Sequence, residues 1–233
     1  MPRHHLVISG TGRSGTTFLV QLLTELGLDT GYTSNDSLAT LNYSPAVNAG
    51  LEHDIRRSDS PYVVKAPQFC DYAAEVYGDP TITVDSLIVP MRDLVDATQS
   101  REVAQQRYRR TFSPLRRLIN RLRGIRQLAP GGYWDESVRN SADLERLLLE
   151  KVYSLMLETA KAGIPIVLLH YPTHVLDVRY AYGKLAPLLP GISWERFATA
   201  HQHHSKPELV HNYALPDVPS TLTHEDAGPT RLP

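Results

Sequence analysis

A chain of 233 residues, 42% hydrophobic and 21% charged, has room for one α/β domain with a sizeable core but not for two catalytic domains, and its composition excludes a disordered or fibrous protein. Its apolar runs are strand-sized, far short of the roughly 20 residues that span a bilayer, so no transmembrane segment is predicted. The formal net charge of -1 gives the chain as a whole no strong electrostatic bias, and the single cysteine, Cys70, excludes an internal disulfide.

The first apolar run, Leu6-Val7-Ile8, comes too early to leave room for a secretory leader. With the lone cysteine, this predicts a cytoplasmic protein. A short strand over His5–Ser9 is expected to pass through a glycine-rich loop into a helix over Ser14–Leu26, because Phe18, Leu19, Leu22, Leu23 and Leu26 recur at helical spacing and Gly27 supplies a stop. The stretch from Asp29 to Pro61 has weak periodicity and reads as a long irregular segment, a kind that often carries function inside a compact domain.

Two further strands are expected over Tyr62–Ala66 and Ser86–Met91, each ending in polar chemistry, at Lys65-Ala66-Pro67 and Arg92-Asp93. Residues 101–126 hold nine arginines and one acid, Glu102, which makes this segment about +8 and the remainder about -9; the expectation is a mobile basic helix or lid that recruits an anionic partner. Asn140 is placed to cap a long helix that stops at Gly163 and feeds a fourth strand over Ile164–His170. The expected unit is therefore a single α/β domain over 1–213 with a mostly parallel sheet flanked by helices, followed by an irregular proline-rich tail over 214–233.

Ligands of such sheets bind beyond the carboxyl ends of the strands, where the 10–17 loop, Lys65 and Arg92 all fall. The loop reads Gly-Thr-Gly-Arg-Ser-Gly-Thr-Thr between a strand and a helix, the frame of a P-loop, in which backbone N–H groups and the helix N-terminus cradle an anion. A nucleoside triphosphatase would place lysine before the last hydroxyl residue. Here Thr16 stands there, and the cation is Arg13.

Gly12-Arg13-Ser14-Gly15-Thr16-Thr17 resembles the 5′-phosphosulfate-binding loop of the sulfotransferases that use 3′-phosphoadenosine 5′-phosphosulfate. Arg92 at a strand end with Ser100 eight positions on resembles that family's 3′-phosphate grip, and Val63-Val64-Lys65-Ala66-Pro67 resembles the strand end whose lysine faces the transferring sulfuryl group. The resemblance covers residues 5–26, 62–67 and 86–101, and more weakly 164–176; the family's C-terminal glycine-lysine-glycine element is not visible. It implies a P-loop nucleoside triphosphate hydrolase-like fold, the nucleotide as co-substrate, no required metal, and Gly12, Arg13, Ser14, Gly15, Thr16, Thr17, Arg92 and Ser100 as its binding residues.

Catalysis is then expected from Arg13 and Lys65 acting on the transferring group, with a base that deprotonates a hydroxyl or, less favourably, an amine. Cytosolic sulfotransferases of small phenols and steroids carry a basic histidine two residues past the lysine. Pro67 stands there in this chain, so the base must come from elsewhere. Asp36 is the first choice, followed by Glu52 and His53 on the same irregular stretch. The expected partner is a small-molecule or glycan acceptor, not nucleic acid. A P-loop kinase and a non-catalytic nucleotide-binding scaffold are the alternatives. His201, His203 and His204 cluster without a spaced ligand set, so no metal site is predicted, and no pattern selects Tyr133, Trp134, Tyr171 or Trp194 for stacking on a ring.

Overall fold

The structure is a computed structural model and describes residues 1–33, 43–44, 49–125, 127–129, 131–133 and 135–210. The order is β1 (Arg3–Ile8), α1 (Thr16–Glu25), a small antiparallel pair β2 (Tyr43–Ser44) and β3 (Ala49–Gly50), β4 (Val63–Lys65), a 3-10 turn at Pro67–Asp71, α2 (Ala73–Gly78), β5 (Ile82–Met91), α3 (Leu94–Arg110), α4 (Pro114–Leu122), α5 (Ser141–Lys161), β6 (Ile166–His170), α6 (Thr173–Leu176), α7 (Val178–Leu185) and α8 (Trp194–His204). The expected tail, 214–233, and the base candidate Asp36 lie outside the described residues.

The fold is a single α/β domain. Its main sheet has four strands, all parallel, in the order β4-β1-β5-β6. Period-two alternation sends Leu6, Ile8, Val63 and Ile88 to one face, where they pack with Leu19 and Leu22 of α1, Leu185 of α7 and Phe197 of α8. Val7, Val64, Leu87 and Val89 face the other side and pack with Phe69, Val76 of α2 and Leu155 of α5. Burial on both faces explains why these strands read as near-continuous apolar runs.

The helix signals act as expected. Asn140 Oδ1 accepts from the Asp143 backbone N–H at 2.9 Å, and α5 ends before Gly163, whose φ of 68° is left-handed. Helix α1 ends in the same way at Gly27, φ 88°. Parallel register brings Ile8 opposite Lys65 and Ile88, so β1, β4 and β5 deliver their carboxyl ends, and the loops that follow, to one edge of the sheet.

Two expectations need correction. Strand β5 begins at Ile82 rather than Ser86, because Ile82, Thr83 and Val84 pair with Arg3, His4 and His5 at the start of β1. Residues 101–126 are not one basic element: the first half completes α3, with Arg101 buried, and α4 follows after a break at Thr111–Ser113.

Candidate functional site

The 10–17 loop joins β1 to α1 through a run of left-handed backbone, with φ of 65° at Gly12, 58° at Arg13 and 77° at Gly15. Gly15 is the N-cap of α1 and supplies no capping side chain, and the first turn contains no acid. The first-turn N–H groups and the positive end of the helix dipole are thus left for an anion. A Cβ on Gly15 would lie 2.7 Å from His174 Nε2, so α6 packs against the back of the loop. His174 Nδ1 donates to the His170 carbonyl at 3.1 Å, and burial drives its pKa down to about 4, which keeps the ring neutral behind the loop.

Arg101 holds the loop from the opposite side. Its guanidinium donates to the Thr11 carbonyl from Nε at 2.9 Å and to the Gly132 carbonyl at 2.6 Å. Burial and the Arg13 charge lower its pKa to about 10. Its position in an arginine run disguised this role, since such runs are usually solvated; only its place one residue after Ser100 could have signalled it.

Arg13, Lys65, Arg92 and Ser100, drawn from three separate segments, line one cavity of about 490 Å³ together with Gly12, Gly15, Thr16 and Thr17. Arg13 Nε donates to Ser100 Oγ at 3.3 Å, and Arg92 donates to the Arg13 carbonyl at 2.9 Å, with its guanidinium 4.8 Å from the centroid of the Tyr171 ring. Lys65 is 3% exposed and its Nζ donates to Thr17 Oγ1 at 3.3 Å. Burial first, with the Arg13 charge adding to it, pulls the Lys65 pKa down to about 8 against the opposing pull of Glu52. Ser14 differs from its neighbours: its side chain is fully buried, its Oγ has no hydrogen-bond partner among the described residues, and it is absent from the cavity wall.

The two described base candidates separate. The His53 backbone N–H donates to the Lys65 carbonyl at 3.1 Å, which lays this stretch along the end of β4 and puts Glu52 on the cavity wall, 3.9 Å from Lys65 Nζ. The His53 ring turns toward Tyr32 and Gly31 and does not line the cavity; burial lowers its pKa. Tyr133 and Tyr171 also line the cavity, where sequence alone could not select them, whereas Trp194 packs on Tyr182 and Trp134 lies outside the described residues.

Glu25 accepts from His203 Nδ1 at 2.9 Å and its carboxylate lies 2.5 Å from His204 Nε2, so the histidine cluster has an acidic member that sequence did not reveal. The three side chains meet where α1 and α8 end. Among the described residues no helix is long and apolar enough to cross a membrane. No family model, curated protein or solved structure matches the chain.

Proposed function

We propose that this protein is a sulfotransferase that moves a sulfuryl group from 3′-phosphoadenosine 5′-phosphosulfate to an acceptor hydroxyl, on a P-loop-type frame. The observation that carries the proposal is the convergence of Arg13, Lys65, Arg92 and Ser100 with the 10–17 loop on one cavity wall. Burial lowers the pKa of both Lys65 and Arg101, and the nearby Arg13 charge adds to it, so this wall gathers cations at close range. A nucleotide that is anionic at both its 5′-phosphosulfate and its 3′-phosphate complements such a wall.

In this mechanism the loop amides and Arg13 hold the 5′-phosphosulfate, while Arg92 and Ser100 take the 3′-phosphate through charge-assisted hydrogen bonds. The acceptor oxygen attacks sulfur as the bond from sulfur to the bridging phosphate oxygen breaks, in line, and the Lys65 ammonium neutralises charge developing on that oxygen. Glu52, on the same wall, takes the acceptor proton. The products are the sulfated acceptor and adenosine 3′,5′-bisphosphate. The cations Arg13, Lys65 and Arg92 do the electrostatic work here, so the transfer requires no metal.

The test is incubation with isotopically labelled donor and a broad acceptor panel of glycans, phenols, lipids and tyrosyl peptides, read by mass spectrometry. Label should appear on an acceptor and disappear with Lys65→Ala. Phosphate transfer from ATP and magnesium without any sulfate transfer would establish the kinase instead, and no transfer of either group would leave a nucleotide-binding scaffold.

A further inference from the structure

Helix α4 presents an unusual surface. Leu115, Leu118 and Leu122, at i, i+3 and i+7, are 67%, 53% and 78% exposed, and Ile119 widens the stripe at 38%; Ile125, 49% exposed, follows the helix after Gly124, whose φ is 65°. Arg116, Arg117 and Arg123, all exposed, lie beside it. Isolated exposed leucines are ordinary; four apolar side chains along one short helix are not. We infer that α4 is a membrane-docking element that lays its apolar stripe into the interface of an anionic lipid surface, with the arginines at headgroup level.

Charge and apolar surface together select this occupant. A soluble anion would use the arginines and leave the leucines in water. A second copy of the chain would cover the leucines but would bring two arginine clusters together, where like charges repel. An anionic bilayer satisfies both features at once, because acyl chains accept the stripe while phospholipid headgroups pair with guanidinium groups. The local sequence agrees: residues 111–126 hold five arginines and no acid in a chain whose formal net charge is -1, so attraction to an anionic surface is concentrated on this segment. In sequence, α4 is flanked by two residues of the cavity wall, Tyr108 before it and Leu128 after it. Membrane docking is independent of the transfer chemistry proposed above.

The experiment is sedimentation of the full chain with extruded vesicles of phosphatidylcholine alone or with about 30% phosphatidylserine, in low and high salt. The protein should pellet with the anionic vesicles and stay in the supernatant with the neutral ones. Leu118→Asn with Leu122→Asn should reduce partitioning by about tenfold or more. Arg116→Gln with Arg117→Gln should reduce it by about tenfold and weaken the salt dependence. All four side chains are exposed, so melting temperature and circular dichroism should stay as in the parent chain, and donor-dependent signals need not be measured. Wild-type protein that stays in solution with anionic vesicles overturns the inference, as does a leucine variant that pellets like wild type. A leucine-dependent dimer in light scattering, without vesicle binding, would assign the face to a second copy and overturn it equally.

Discussion

Lys65 shows how a single position can set a pH profile. Its ammonium is buried beside Arg13, and both effects favour the neutral amine, bringing the pKa down to about 8. The ammonium is therefore present below that value and lost as pH rises through it. If it stabilises the leaving oxygen, kcat/KM for the donor should fall above pH of about 8. Lys65→Arg keeps its proton throughout and should remove this alkaline limb. Lys65→Ala should lower kcat by roughly a hundredfold or more at neutral pH. A wild-type profile that stays flat to pH 10 in steady-state kinetics would take Lys65 out of the chemistry. Glu52 raises the Lys65 pKa, so Glu52→Gln should move the limb to lower pH, a shift separate from any loss of base function.

At the scale of elements, the site depends on how tightly the 10–17 loop is wedged. Gly15 has left-handed backbone, and an added Cβ would lie 2.7 Å from His174 Nε2 and 3.1 Å from Val175 on α6. Gly15→Ala should cost about 3 kcal/mol, from strained backbone plus overpacking, and lower the melting temperature by roughly 10 °C for a chain of this size. Adding His174→Ala should recover the steric part but not the backbone part. If Gly15→Ala melts with the parent in a calorimetric scan, the loop is not clamped between α1 and α6.

These same elements explain what was legible in the sequence. The halves of β1, β4 and β5 that are buried on both faces appear as apolar runs, whereas the first half of β5 alternates buried Ile82 and Val84 with more exposed Thr83 and Asp85 and looks like a loop. Lys65, Arg92 and the loop were readable because each directly follows such a run. Arg101, Tyr133 and Tyr171 were not, since their place on the wall comes from packing between segments far apart in sequence. The arginine run invited a count of charges. That count missed both the buried member, Arg101, and the leucine stripe on α4.

Across the whole molecule, the cavity wall is assembled from the carboxyl ends of four parallel strands, from α3 and from the segment around Ala129. A ligand that bridges these pieces binds only the assembled fold, so its free energy of binding adds directly to global stability. Adenosine 3′,5′-bisphosphate at a hundred times its Kd should therefore add about 2.7 kcal/mol and raise the melting temperature by roughly 5–10 °C. ATP with magnesium lacks the 3′-phosphate that the proposed function assigns to Arg92 and Ser100, and should give a much smaller shift. The Arg92 guanidinium is backed by the Tyr171 ring and tied to the loop through the Arg13 carbonyl, and the proposed function assigns this distinction to it. Arg92→Ala should consequently abolish most of the difference between the two nucleotides while preserving whatever binding the loop provides through the phosphate they share. Equal stabilisation of the wild-type protein by both nucleotides in differential scanning fluorimetry would remove the 3′-phosphate site, and with it the main reason for preferring sulfuryl over phosphoryl transfer.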